Sequence, residues 1–515
     1  MSTSRLRLAA RLCIALALSL VPVLGGCDDN TGPDAGPDPD GGAVVDAGST
    51  DAGTDAGRAP LVVPDTYSFE SRFEAGSSSV SHGGQTTRNV LMSDIVDYAA
   101  SLTGQVEADT GVFEDVEDGE VVSAMEYFFS IDGADRAGDP IRLETTPDAL
   151  QETYGDLGGA NLLAKLAGND TSTDHEDWSS AFSGWSDASF ETAGGGIDSP
   201  TNFVNAIFHN LEDNAQAYDA DPSSRQSPVD TPANLPVHVQ ENGVDLAQLL
   251  GAFLQGGIAF SQASDDYADD DVEDKGLLGD NVEADGTYTA LEHAWDEAFG
   301  YYGASFDYDA FTPAQIAGGE TSRDLDSDGR IDLVNEYNFT FAAAAATRDA
   351  EANTATSYAE DIFGAFRTGR AIISRADGAL STQDLADLQA QRDIAISAWE
   401  AAGAATVVAH LNRVLSIMVD YGTSDFDHSR FLELANEWAQ MKGLALMFQF
   451  NPRSAVSESD FTMLHTLLGD APVLPAAGDG VLTYQTNLRA ARALLGTAFG
   501  FASDNLGDDD GAGGW

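Results

Sequence analysis

Apolar side chains recur at helical spacing along most of the chain. In residues 406–419 they stand three and four positions apart, so one stripe of that helix faces a core. This stripe consists of Val407, Leu411, Val414, Leu415 and Met418. Similar patterns cover residues 89–102, 120–130, 202–218, 245–261, 289–302, 339–354, 359–374, 383–401, 429–448 and 485–501. Strand-like alternation is confined to residues 67–73 and 236–240, so the chain is predicted to be all-α.

Polar connections of about ten residues or longer separate several of these patterns. Residues 265–281 and 311–332 are examples, and no repeat with a solenoid period links the segments. We therefore predict one helical domain, residues 61–504, folded as an irregular multi-helix bundle with long polar loops, either as a single body or as two lobes. The Gly- and Asp-rich residues 505–515 are predicted to form a disordered tail.

The first 26 residues have the pattern of an export signal. Arginines precede an apolar run, residues 12–23, which is too short to span a bilayer as a stable helix. The segment Leu24-Gly25-Gly26-Cys27 matches a bacterial lipobox, in which small residues before the cysteine fit the signal peptidase and the cysteine thiol receives a diacylglyceryl group. We expect an extracytoplasmic protein anchored through Cys27 to a bacterial membrane, with the outer membrane favoured. An ordinary signal peptide with a chance cysteine is the alternative.

Residues 27–60 differ in composition from the rest of the chain. Asp-Ala-Gly recurs there among Gly, Pro and Thr, with few apolar side chains to bury. Such a segment cannot offset the entropy of ordering, and its carboxylates repel one another. We predict that it is a disordered tether between the acylated Cys27 and the helical domain.

Acidic residues outnumber basic ones strongly, with 85 Asp and Glu against 24 Lys and Arg, for a net charge of −61. This charge excludes nucleic acid as a partner, because phosphates would be repelled. Lysine is represented only by Lys165, Lys275 and Lys442. The acidic surface is interpreted as a soluble coat in salty surroundings or as an attractor of cations.

Catalytic signatures are missing from the sequence. Cys13 lies in the leader and Cys27 is the acylation site, so the helical domain has no thiol for a disulfide, a zinc-thiolate cluster or a nucleophile. His-Glu-x-x-His, Gly-x-Ser-x-Gly, phosphate-binding glycine loops and dinucleotide fingerprints are also missing. No catalytic residue is assigned, and a binding protein is the leading class.

A run of alternating aspartates matches the first half of an EF-hand calcium loop. Carboxylates stand at positions one, three and five, and Gly329 stands at position six, where the loop turns sharply. Position twelve departs from the pattern, because Asn335 replaces the usual glutamate and the glutamate follows one residue late. The candidate calcium ligands are Asp324, Asp326, Asp328, the carbonyl of Arg330, Asp332 and Glu336. The alternative is an acidic surface loop that holds no ion.

A second candidate site lies on the helix predicted at residues 289–302, which a Thr289–Glu292 capping box begins. Helical geometry groups an imidazole and three carboxylates opposite the apolar side chains. These residues are Glu292, His293, Asp296 and Glu297. Imidazole with carboxylates suits iron or zinc, and we expect the remaining ligands from segment 429–448 with its leading His428. A solvated polar face is the alternative.

Several segments resemble known proteins. Residues 80–88, 288–301, 328–333 and 437–443 resemble a family of bacterial surface lipoproteins known only as a domain of unknown function, over about residues 63–501. More distantly, they are similar to the imelysins, helical extracytoplasmic proteins linked to iron uptake and once described as peptidases. The resemblance implies an imelysin-like helical domain that serves iron acquisition with an outer-membrane uptake complex. The imelysin His-x-x-Glu motif has His293 and Asp296 at the corresponding positions here.

These observations predict a membrane-anchored lipoprotein that binds a metal or a metal-containing ligand, with iron uptake as the expected role. Calcium, and iron or zinc, are the expected ions. One alternative is a metal-dependent peptidase or hydrolase that uses Glu292 or Glu297 as a base. The other alternative is a structural or adhesion module stabilised by calcium.

Overall fold

The computed structural model describes residues 58–108, 113, 115–173, 175–186, 190 and 196–515. The predicted signal peptide, Cys27 and all but the end of the predicted tether lie outside the described residues. Within them the fold is all-α, as predicted, and no sheet forms. The helices, α1 to α14 in chain order, are Gly83–Glu107, Glu120–Phe129, Tyr154–Leu157, Pro200–Ala220, Leu246–Leu254, Ala290–Tyr302, Pro313–Ala317, Thr340–Glu351, Tyr358–Ala376, Thr382–Met418, His428–Ala445, Glu458–Leu468, Asp479–Ala498 and Ser503–Leu506.

Helix starts coincide with side chains that cap the first turn. Ser199, Thr289, Ser381, Asp427 and Ser457 each accept a hydrogen bond from a backbone N–H three residues on. These caps satisfy donors that have no partner within the helix. Short polar residues therefore set the starts of α4, α6, α10, α11 and α12, while apolar periodicity determines which face of each helix is buried.

Two predicted helices form one. The patterns at 383–401 and 406–419 belong to α10, because the small residues between them continue the helix and are buried. A β-carbon on Gly403 would lie 2.8 Å from Met447 Sδ, so close packing requires a small residue there. The α5 helix also continues beyond its predicted end, through the π-helical segments Gln255–Phe260 and Ala263–Tyr267. The polar loop predicted from residue 265 therefore begins later.

Neither segment with strand-like alternation forms a strand. In segments 67–73 and 236–240 the structure has only isolated bridges, Glu70 with Ser78 and Val239 with Asp245. Tyr67 instead stacks on Phe299, with ring centroids 3.7 Å apart. Alternation in this segment reflects single side chains reaching the helical core from a loop, and such alternation has the same sequence pattern as a half-buried strand.

The core lies around α10. This helix packs against α8, α9, α11 and α13, while α1 packs against α2, α4, α5 and α6. Among the described residues, one helix, α10, is long and apolar enough to cross a membrane. Within the protein, 67% of its most apolar 18-residue stretch is buried. The described residues from Arg58 to Trp515 form one compact unit.

Both ends of this unit are attached to the helices. The Arg58 guanidinium lies 2.5 Å from Asp384 Oδ1, and the C-terminal Trp515 is only 6% exposed. The Trp515 indole N–H donates to the Arg348 carbonyl at 2.9 Å, and the Asn412 amide donates to the Trp515 carbonyl at 2.9 Å. Residues 505–515 thus differ from the disordered tail that their composition predicts, because one large aromatic side chain supplies enough burial to fix them.

Candidate functional site

The α6 helix begins as its sequence predicts. Thr289 Oγ1 accepts the Glu292 N–H at 3.2 Å, and Glu292 Oε2 accepts the Thr289 N–H at 2.9 Å. This capping box confirms the predicted helix start and uses one oxygen of the Glu292 carboxylate.

The carboxylates of Glu292 and Asp296 point into the core rather than to solvent. They are 1% and 0% exposed, and both contact Arg370 of α9, which is also fully buried. Arg370 Nη1 lies 3.0 Å from Glu292 Oε1, and Arg370 Nε lies 3.0 Å from Asp296 Oδ1. The Tyr67 hydroxyl donates to the same Asp296 oxygen at 2.8 Å. Burial raises the pKa of Asp296 to about 6, against the opposing effect of Arg370.

The other two predicted metal ligands, His293 and Glu297, lie about 100° further round the helix. His293 Nδ1 is 3.0 Å from the Ser81 carbonyl oxygen, and its ring stacks on Tyr288 with centroids 4.5 Å apart. His293 Nε2 is 3.7 Å from Glu297 Oε1, which accepts a hydrogen bond of 2.7 Å from the Gln85 amide. The structure therefore divides the four predicted ligands into a buried pair and a pair that lines a cleft.

The helix predicted to complete the site faces other elements. The α11 helix packs against α5 and α10, whereas α6 packs against α1 and α9. His428, at the start of α11, contacts the Ser227 hydroxyl at 2.9 Å, and Glu437 lies 2.6 Å from His410 Nδ1. These side chains are satisfied by neighbours of their own.

His293 and Glu297 line an open cleft of about 690 Å³, which we call the α1–α6 cleft. Its other polar walls come from the first turns of α1 and from loops on either side of the π-helical segments, and include Gln85, Arg88, Lys165, Asp266 and Lys275. The cleft thus collects two of the chain's three lysines. The scarcity of lysine is the one feature of the sequence that could have pointed to this cleft, and no site was predicted from it.

The π-helical segment Ala263–Tyr267 forms part of the cleft wall. Such segments are rare and often occur at functional sites, because the wider turn redirects side chains. Here Asp266 and Tyr267 line the cleft. Burial raises the pKa of Asp266 to about 7, while Lys165, 4.0 Å away, acts in the opposite direction.

The aspartate loop, residues 324–332, brings carboxylates together as its spacing predicts. One oxygen each from Asp324, Asp326 and Asp328 lies within 4.8 Å of the others. Within the part of the chain that the structure describes, no other group of three or more His, Cys, Asp or Glu residues meets this criterion. Gly329 has φ +88°, a conformation that favours glycine, and its N–H donates to Asp324 Oδ2 at 2.9 Å.

The remaining candidate ligands hold the loop in shape. Asp332 accepts from the Gln151 amide at 2.8 Å and from the Asn335 amide at 2.6 Å. Glu336 accepts the N–H of Leu325 at 2.7 Å and that of Asp332 at 2.9 Å. The Arg330 side chain reaches Glu152 at 2.5 Å, and Ile331 forms a backbone bridge with Ala149. The carboxylates of Asp324, Asp326 and Asp328 therefore lie close enough together to surround one cation. Asp332 and Glu336 instead accept hydrogen bonds that hold the backbone of the loop.

Fold and sites together define an all-α protein with a polar cleft and a surface aspartate loop. A family model described as a domain of unknown function (DUF4856) matches residues 201–401, a range that contains α6, the aspartate loop and Arg370. This match agrees with the resemblance to a domain of unknown function. No curated protein matches the chain, and no solved structure does.

Proposed function

We propose that this protein is a membrane-anchored extracytoplasmic lipoprotein that binds Ca²⁺ at its aspartate loop. The observation that supports the proposal is the convergence of Asp324, Asp326 and Asp328 within 4.8 Å. Three carboxylates at this separation repel one another, and a divalent cation between them would turn that repulsion into attraction. Oxygen ligands at positions one, three and five of a turn at Gly329 are those that Ca²⁺ prefers.

The backbone around the aspartate loop is held in place by contacts with neighbouring segments. The backbone is held by the bridge between Ala149 and Ile331 and by that between Ser322 and Tyr337. A held loop loses little entropy when it binds an ion. With three side-chain ligands and an absent position-twelve glutamate, the affinity should be that of extracellular calcium modules, about 10⁻⁴ to 10⁻³ M.

Iron or zinc binding rests on the imidazole and carboxylates of α6, and a role in iron acquisition rests on the resemblance to imelysins. Glu292 and Asp296 are paired with Arg370, so His293 and Glu297 are the predicted ligands left on an open surface. A zinc site takes at least three protein ligands, and this pair supplies two. Calcium is therefore the metal that we propose.

Calcium should raise the melting temperature of the wild-type protein and leave that of Asp328→Asn unchanged. Asparagine retains an oxygen for the Arg330 N–H, which now donates to Asp328 Oδ1 at 2.8 Å, but removes the charge that binds the ion. At about 100 times the dissociation constant, binding to the folded state alone adds about 2.7 kcal/mol to the free energy of unfolding. Thermal unfolding followed by circular dichroism, with calcium or with chelator, measures the effect.

Asp509→Asn is the matched control, because Asp509 is an exposed member of another aspartate run. It should respond to calcium as the wild type does. Equal calcium responses in all three proteins would mean that calcium only screens the acidic surface, and the proposed site would be rejected.

Cys27→Ala should abolish the cleaved, detergent-phase form and leave the protein either in the aqueous phase or as an uncleaved precursor. Acylation of this cysteine supplies the hydrophobic chains that hold the protein on a membrane, and alanine cannot be acylated. Detergent phase partition of whole-cell extracts, with immunoblotting, measures the change. Cys13→Ala, which alters the other cysteine of the leader, should partition as the wild type does. Retention of a cleaved Cys27→Ala protein in the detergent phase would contradict lipid anchoring at this residue.

A further inference from the structure

We infer that a cleft between α1, α5, α8, α10 and α11, which we call the five-helix cleft, binds a small organic amine in its ammonium form. The cleft has a volume of about 220 Å³ and shares no residue with the aspartate loop, so this inference goes beyond the calcium proposal. Clefts for drug-sized ligands hold about 300–1,000 Å³, so the molecule that fits here has only a few carbon atoms.

Small residues keep the cleft open where the helices meet. Gly251 of α5, Ala344 of α8 and Gly403 of α10 line it and fill little of the space between the helices. Larger apolar side chains form the rest of its non-polar wall, namely Met92, Val96, Phe341 and Leu444. The cleft therefore offers a short hydrocarbon chain a surface on which to lie.

A buried amide in the wall of the cleft has an unpartnered oxygen. Gln255 begins the π-helical segment Gln255–Phe260, is only 7% exposed, and lines the cleft. Its Nε2 donates to the Thr340 hydroxyl at 3.4 Å, whereas its Oε1 has no hydrogen-bond partner among the described residues. Buried polar groups almost always have a partner, so a donor carried by a ligand would complete this one. Widened helical turns of this kind often occur at functional sites.

The imidazole of His410 offers a second acceptor. His410 is 9% exposed and lines the cleft, and its Nδ1 lies 2.6 Å from Glu437 Oε2. This contact favours the tautomer with the proton on Nδ1, in which Nε2 of the neutral ring keeps its lone pair. Nε2 has no hydrogen-bond partner in the part of the chain that the structure describes. Arg413 lies 3.3 Å from the other oxygen of Glu437, so the carboxylate that orients the ring is itself held.

The charge of the cleft favours a cation. Asp97 of α1 stands at its exposed rim, and neither a lysine nor an arginine is among the described residues that line it. Arg142 acts on Asp97 electrostatically but lies beyond the 4.0 Å of an ion pair. The Gln440 amide donates to Asn436 at 2.6 Å, which leaves the Gln440 oxygen as a further acceptor. The net charge of −61 also draws cations to the protein.

An ammonium group matches these acceptors. It carries a positive charge and up to three N–H donors, for the Gln255 oxygen, the His410 nitrogen and the Asp97 carboxylate. Its carbon chain can bury apolar surface against the non-polar wall, as the stem of a lysine side chain does. A metal ion fits less well, because among the described residues three clustered His, Cys, Asp or Glu ligands occur at the aspartate loop and not in this cleft.

Titration calorimetry with n-butylamine tests the inference on the purified lipoprotein in non-ionic detergent, at about pH 8 and an ionic strength of about 0.15 M. An alkylammonium group keeps its proton at this pH, as lysine does, and the salt screens diffuse attraction by the acidic surface. Saturable binding is expected. The uncharged n-butanol should bind at least about tenfold more weakly, because it has one donor and no charge.

N-acetyl-lysine amide presents the same four-carbon ammonium on a peptide group. Tighter binding of n-butylamine would identify a free amine as the ligand, and tighter binding of N-acetyl-lysine amide would identify a lysine side chain.

Gln255→Met keeps the length of the side chain but removes the unpartnered oxygen, so it should weaken n-butylamine binding at least about tenfold. Asp97→Asn should weaken it about threefold, because Asp97 is exposed and its attraction is screened. An unchanged melting temperature for Asp97→Asn shows that the fold of this variant is intact.

Glu360→Gln is the matched control, because Glu360 is an exposed carboxylate of α9 that lies outside the cleft and has no ion pair within 4.0 Å among the described residues. It should bind n-butylamine as the wild type does. No saturable binding of n-butylamine, unchanged affinity in either cleft variant, or an equal loss in Glu360→Gln would overturn the inference.

Discussion

Arg370→Met is expected to lower the free energy of unfolding by about 3–5 kcal/mol, because it removes the cation from a buried ion cluster. Arg370 is 0% exposed and contacts both Asp296 and Glu292 at 3.0 Å. Without it Asp296 keeps only the Tyr67 hydroxyl, and the nearest guanidinium to Glu292 is that of Arg72, at 3.7 Å. Urea unfolding followed by circular dichroism measures the loss.

The pH dependence of this loss identifies its electrostatic origin. The pKa of Asp296 is about 6 in the folded protein against an ordinary value of 3.8. Ionisation of Asp296 therefore lowers the free energy of unfolding as the pH rises from about 4 to about 6. Removing Arg370 raises this folded-state pKa further. The deficit of Arg370→Met should therefore be largest near pH 7.5 and shrink as the pH falls towards 5, where the folded variant takes up protons.

Arg375→Met, on the same helix, provides the control. Arg375 contacts Asp384 at 2.7 Å, but Asp384 retains the Arg58 guanidinium and the Ser381 hydroxyl. We expect a loss of about 1 kcal/mol or less for this variant, with little pH dependence between 5 and 7.5. Similar losses in the two variants would show that the buried cluster has no special role in stability.

Gly369→Ala should destabilise the protein by about 3 kcal/mol through overpacking. A β-carbon at Gly369 would lie 2.0 Å from Trp295 Cζ2, and the indole cannot move easily because its N–H donates to the Phe366 carbonyl at 2.8 Å. The substitution forces α9 away from α6, whose Glu292 and Asp296 contact the neighbouring Arg370. Thermal and urea unfolding both report the change.

Gly364→Ala tests the same substitution five residues earlier in α9, where a β-carbon would meet nothing within 4 Å. Alanine has the higher helix propensity, so this variant should gain about 0.5–1 kcal/mol. Opposite signs in one helix separate packing from propensity. A Gly369→Ala protein as stable as the wild type would mean that α6 and α9 are not packed as closely as described.

Local signals determined most helices and one candidate site. Apolar periodicity predicted every long helix except α12, and the capping box at Thr289 predicted the start of α6. Both depend on residues within a few positions of each other, and so does the aspartate loop, whose carboxylates converge because they alternate along one tight turn at Gly329. Composition was a poorer guide to residues 505–515, because it gives no special weight to Trp515, which orders them.

Only the tertiary structure decided which polar side chains of α6 meet a partner and which meet solvent. Helical geometry put Glu292, His293, Asp296 and Glu297 on one side, but Arg370, more than seventy residues later, draws two of them into the core. The α1–α6 cleft likewise unites Arg88 with Lys275, whose separation along the chain leaves no local pattern. Charges far apart in sequence act on each other only after packing has removed the water between them, so a sequence specifies its helices locally and its polar sites only through the completed fold.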